Sequence, residues 1–199
     1  MGTRLDGRRR RSVRTADALI ETYVSLVQLK HQRPSTSELA GRAGCSVRSV
    51  FERFKHLQAL EQAVFDRMLQ ELADLYKPMP DSDLRTRIRL HVGKAALSRE
   101  AWLAHWQVLR SRSALSPEWI ERLEKFHKLD RGHLASIYAP ELEAVGPRTR
   151  MTILISLQAL TGFDAWALMR ESYSMSFAES RAAWEDAIQV LLAAKVETT

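Results

Sequence analysis

The chain has 199 residues, 45% of them apolar and 27% charged, which suits one large or two small globular domains with a real core. Only eight glycines and six prolines punctuate it, and no alternating Val/Ile/Thr runs lie between turn residues, which excludes a β architecture and leaves an all-α fold. A single cysteine, Cys45, rules out an intrachain disulfide, and the six histidines show no ligand spacing, so neither metal nor cofactor is expected.

The net charge of +6 is concentrated at one end. Residues 1–14 hold six arginines against Asp6, whereas 15–77 balance eight basic with eight acidic groups, and 78–199 hold sixteen and fifteen. Composition predicts a disordered basic arm over 1–14, because a segment so poor in apolar residues cannot pack. Arg8, Arg9, Arg10 and Arg11 are its candidate contacts to phosphate or to a minor groove. The competing reading is a solubilising tail. No stretch approaches the roughly 18 apolar residues of a membrane span, and no apolar run follows the arginines. A cytoplasmic protein without a membrane partner is therefore expected.

Residues 15–77 read as a DNA-binding unit with a linker helix. Ala16 to Leu29 carries Leu19, Ile20, Tyr23, Val24, Leu26 and Val27 on a broad apolar face. His31 to Pro34 connects it to Ser35, which with Glu38 has the form of a capping box and starts a helix near Thr36. Leu39, Ala40 and Ala43 share a face of that helix, and Gly44 stands where a chain leaving a helix often turns left-handed. Ser46 then caps a second helix with apolar Val47, Val50, Phe51 and Phe54 among Arg48, Ser49, Glu52 and Arg53. Two short helices around a glycine turn have the form of a helix-turn-helix, whose second helix enters the major groove. Helical bundles contain such pairs too, so the pattern alone leaves DNA binding open.

The order of residues is more specific. Ser35 to Leu60, with Leu39-Ala40, Ala43-Gly44, Ser46, Phe51, Phe54 and Leu60, resembles the DNA-binding motif of TetR-type transcriptional regulators. The resemblance implies base contacts from Arg48, Ser49 and Glu52 and backbone contacts from Ser35, Thr36, Ser46, Arg53 and Lys55. Val47 and Phe51 complete the set assigned to DNA. Phe51 stands where the family usually has a phosphate-binding tyrosine, and Arg48 where many relatives have glycine. Leu57-Gln58 replaces the usual Lys-Glu pair, with Lys55 near enough to take over its contact. Cys45 sits where relatives often have valine and reads as a buried thiol rather than a redox switch. Glu52, four residues after Arg48, either pairs with it or accepts from cytosine N4; pairing is favoured.

Leu57 to Tyr76 predicts a longer helix, ended by Pro78-Met79-Pro80. Residues 78–199 read as an effector-binding and dimerisation domain. Helices are expected over Leu84–Leu97, Arg99–Ser111 and Trp119–Tyr138, the last opened by Ser116-Pro117-Glu118 and closed by Pro140. Trp102, His105, Trp106, Phe126, His127 and, further on, Trp166 are effector-pocket candidates, though aromatic residues at helical spacing serve a core equally well. Gly146-Pro147 predicts a helix to about Glu171, and Ser176 with Glu179 forms a second capping box opening the last helix, to about Ala194. Leu154, Trp166, Trp184, Ala187, Ile188 and Leu191 are the candidate dimer interface, since two long apolar helices suggest a bundle shared with a second copy. Phe163 to Leu192 also resembles the paired C-terminal dimerisation helices of TetR-type regulators.

The expected function is thus a homodimeric repressor that reads a palindromic operator and is released by a small-molecule effector. An enzyme finds no support in any nucleophile, phosphate-loop or metal motif, His105 or His127 near Glu124 being the nearest approach. A helical interaction protein that touches nucleic acid only through its arm is the other rival.

Overall fold

The computed structural model describes residues 3–75, 82–113 and 117–193, with side chains described for 14–73, 82–111 and 117–193. Ten helices and no strands occur among the described residues. Local chemistry sets many of their ends. The first helices are α1 (Thr3–Lys30), α2 (Thr36–Arg42), α3 (Val47–Arg53) and α4 (Leu57–Leu75). Residues 3–14, for which composition predicts no fixed structure, are helical backbone continuous with α1. Arginine is a good helix former and no proline intervenes, so polarity alone was a poor guide there. His31 ends α1 at φ 52°, donating its N–H to the Val27 carbonyl at 2.8 Å, in the left-handed turn that glycine adopts without strain.

The chain divides into two compact units, Met1–Gln70 with Ala104–Leu115, and Glu71–Leu103 with Ser116–Thr199. This differs from a single boundary at residue 77. In the first unit, α1, α2 and α3 are in mutual contact. Leu19, Tyr23, Val27, Leu39, Leu60, Val64, Phe65 and Met68 are fully buried. His105 is buried as well, with Nε2 2.9 Å from the Val24 carbonyl oxygen.

The second unit is built on the part of α5 (Leu84–Ser113) up to Leu103, with α6 (Pro117–Ile137), α7 (Ala139–Glu143), α8 (Pro147–Leu160), α9 (Phe163–Ala167) and α10 (Phe177–Ala193). α5 is one helix where the sequence suggested two. No glycine or proline separates Leu97 from Arg99, and Ser98 is buried rather than capping a new start. Pro140, expected only to stop α6, also opens the short α7. Conversely, the helix expected from Pro147 to Glu171 breaks after Leu160. There the Thr161 hydroxyl donates back to the Leu157 carbonyl at 2.9 Å, and a Cβ on Gly162 would lie 3.2 Å from the Gln158 carbonyl oxygen. The chain bends by 44° and closes with a wide π turn over Leu168–Ser172. Glu100 of α5 holds this segment by accepting from Trp166 Nε1 at 2.7 Å and from Arg170 Nη2 at 2.9 Å.

Ile88, Val92, Leu134, Tyr138, Leu157, Trp166, Trp184 and Ile188 belong to the core of this unit, with the Trp166 and Trp184 rings 4.7 Å apart. No single helix among the described residues is long and apolar enough to cross a membrane.

Candidate nucleic-acid interface

The helix pair is defined by its caps. Ser35 Oγ accepts from the Glu38 N–H at 3.3 Å while Glu38 Oε2 accepts from the Ser35 N–H at 2.8 Å, which completes the expected capping box. At the other end of α2 the Cys45 N–H donates to the Ala40 carbonyl at 3.0 Å, with Gly44 at φ +65° between them. This is a Schellman stop, and it needs a residue that tolerates positive φ. Ser46 then caps α3, its Oγ accepting from the Ser49 N–H at 3.1 Å. Cys45 itself is half-buried.

A polar clamp orients the pair. Arg33 grips Glu61 of α4 with two hydrogen bonds, at 2.5 and 3.0 Å, and the buried Tyr23 hydroxyl of α1 donates to the same carboxylate at 3.1 Å. Burial first, then the Glu61 charge, raises the Tyr23 pKa, so the hydroxyl stays a donor. Lys30 pairs with Glu38 across the α1–α2 connection. That bond, followed by the Ser35 N–H, draws the Glu38 carboxyl down to about 2.

One face of α3 is left uncovered. Val50 is its one buried residue. Val47, Arg48, Phe51, Glu52 and Arg53 are exposed, as are Ser35, Ser46 and Lys55, while Thr36 and Ser49 are half-buried. Arg48 Nε donates to Glu52 Oε1 at 3.0 Å, the favoured of the two roles for Glu52. Periodicity marked Val47 and Phe51 as apolar but did not settle their exposure, 39% and 47%, which places two apolar groups among the polar ones. Arg8, Arg9, Arg10 and Arg11 belong to α1, but their side chains lie outside those described.

The effector-pocket candidates are divided between the two units. His105 and Trp106 fall in the first unit, and Trp102, Phe126, His127 and Trp166 in the second. All but the exposed His127 are buried, and two of the indoles donate to carboxylates, Trp102 to Glu71 at 3.1 Å and Trp166 to Glu100 at 2.7 Å. Those two indoles are packing groups with satisfied polar tips. The second unit instead has a polar recess between His91, Lys94 and Arg99 of α5 and Asp130 and His133 of α6, walled by Leu72 and Ala95. The aromatic list missed it. The legible signal was the three-residue spacing of His91 with Lys94 and of Asp130 with His133, which puts each pair on one helix face.

Four of the six residues of the candidate dimer stripe are taken up inside the second unit. Leu154, Trp166, Trp184 and Ile188 lie in the core of the second unit, and Ala187 and Leu191 are half-buried. Met151 and Ile155 of α8 and Val190 of α10 are the apolar side chains that face outward. A helical stripe marks the face that is buried, and here the protomer's own core buries it.

No protein-family model matches the chain, and no curated protein matches it by sequence. The fold does match a solved one. A TetR-family transcriptional regulator from Streptomyces coelicolor is similar over 91% of this chain and 81% of its own, with a TM-score of 0.77 and 18% sequence identity. The chain therefore has the all-helical fold of a TetR-family transcriptional regulator.

Proposed function

We propose that this chain is a sequence-specific DNA-binding transcriptional regulator, a homodimeric repressor that leaves its operator when a small molecule binds the second unit. The reading is carried by the uncovered face of α3, an N-capped helix that offers a guanidinium, hydroxyls and two apolar groups and lies in a fold shared with a known regulator. Such a face suits a major groove. Arg48 reaches guanine O6 and N7, Phe51 and Val47 meet thymine methyls, and Ser35, Thr36, Ser46, Arg53 and Lys55 hold phosphates. The paired Glu52 keeps Arg48 extended until it meets a base. The helical extension of α1 brings Arg8 to Arg11 to the same polyanion.

Two copies would present two α3 helices about one DNA turn apart. Met151, Ile155 and Val190 are the outward apolar groups available for that pairing. Release works by population shift, an effector weakening operator binding by its differential affinity for the two states.

Selection from random duplex DNA at near-physiological salt tests the reading. A palindrome with half-sites about one helical turn apart is expected. Salt-dependent binding with no recovered sequence overturns it in favour of purely electrostatic contact.

A further inference from the structure

The buried apolar residues of the first unit, Leu19, Val27, Leu60 and Val64 among them, supply a driving force without a direction. Direction comes from hydrogen bonds, and Glu61 of α4 is where they converge. Its carboxylate belongs to a residue only 6% exposed. Oε1 accepts from the Tyr23 hydroxyl at 3.1 Å and from Arg33 Nε at 2.5 Å, while Oε2 accepts from Arg33 Nη2 at 3.0 Å. A forked contact of this kind fixes the guanidinium plane as well as its distance. One carboxylate on α4 is thus held by α1 and by the connection that leads into α2.

The clamp reaches the recognition pair through a stiff link. Buried Pro34 is all that separates Arg33 from Ser35, the N-cap of α2. Proline fixes its own φ and keeps the residue before it extended, so the position of Arg33 determines where α2 begins. α2 packs on α3, which carries the exposed face along with it. Other pairs in the unit hold less firmly. Lys30 with Glu38, and Arg67 with Glu21 at 3.7 Å, are exposed on both sides, and such pairs contribute little. A buried ion pair is itself a weak source of stability, because desolvation offsets the attraction and apolar groups of similar volume often serve as well. What this one supplies is geometry.

We infer that Glu61 is a positioning residue for operator recognition: held by Tyr23 and Arg33, it fixes the bearing of the α2–α3 pair on α4 and with it the selectivity of the protein. The inference rests on the proposed DNA-binding function and adds to it a buried residue that touches no base. A misplaced α3 loses its fit to every base of the half-site together, whereas loss of one base contact, as at Arg48, relaxes one position.

The test uses the full-length protein with the operator recovered by selection and with random duplex DNA at the same salt. Tyr23→Phe/Arg33→Met/Glu61→Leu replaces the clamp by apolar groups of similar size and leaves the net charge unchanged. Urea unfolding defines the conditions in which each variant is folded, and affinities are read there. The triple variant should bind random duplex within about twofold of the wild type and the operator about tenfold more weakly, with preference blunted at all half-site positions together. Arg33→Lys keeps the charge and gives up the fork, so it should lose about threefold on the operator alone. It decides the question if the triple variant does not fold. An unchanged ratio of operator to random affinity in the folded variants overturns the positioning role, as does a relaxation confined to one base position. A wild-type protein that recovers no operator removes the DNA-reading function and this role with it, whereas an operator bound equally well by the variants removes the role alone.

Discussion

The α2–α3 pair and the α8–α10 region use their apolar residues in opposite ways. In α3 a single residue, Val50, is buried and two apolar groups stand in solvent, so the outward face is where chemistry is left over. In α8 to α10 the large apolar residues Leu157, Trp166, Trp184 and Ile188 are drawn into the core, and Met151, Ile155 and Val190 are left outside among polar residues. An apolar stripe thus locates a partner only after the protomer's own core has been filled. Short helices with capped ends display function; long ones conceal packing.

The contrast can be broken first at its buried end. Trp184→Ala removes an indole that is 1% exposed and packed at a tilt against Trp166, and should cost about 3–5 kcal/mol in urea unfolding. If Trp184 instead served an interface, dilution of the native protein would reproduce the loss.

Acid attacks the second unit next. His91 titrates near 3 when folded and near 6.5 when unfolded, so the unfolded chain binds the extra proton between those values. Stability is complete above pH 6.5 and falls as the pH drops towards 3, by roughly 2 kcal/mol at pH 5 from this group alone. Unfolding curves at pH 8 and pH 5 measure it, and an undiminished acid loss in His91→Phe would place its source elsewhere.

At the exposed end, Arg48→Ala should leave stability within about 0.5 kcal/mol, because its pair with Glu52 is exposed. It should cost about 1–3 kcal/mol on the selected operator and relax one base position. Equal losses on operator and random DNA would deny it a base-reading role. The smallest effect is a gain. His31→Gly relieves a left-handed residue at φ 52° and should raise the unfolding free energy by up to about 1 kcal/mol. A loss would mean that the His31 side chain contributes more than its backbone costs.

Legibility followed the range of the interactions. The capping boxes at Ser35 and Ser176, the left-handed Gly44, the Ser46 cap and the Arg48–Glu52 pair are contacts within about one helical turn, and all were readable before any fold was known. The break at Thr161, though made by contacts within one turn, is masked by the apolar periodicity that runs on through it, and continuity through Ser98 was not readable because it depends on what packs beside the helix. The recess was hidden for the same reason: Arg99 meets Thr161 across 62 residues, and His91 meets Tyr138 across 47.

By itself, then, the sequence determined an all-helical chain, its charge-rich N-terminus and the helix-turn-helix with its caps, since these follow from composition, spacing and local hydrogen bonds. Tertiary structure alone decided which apolar faces are consumed by the core, which aromatic residues are packing and where polar groups meet inside the second unit. Periodicity states that a face is buried, and only the completed packing states against what.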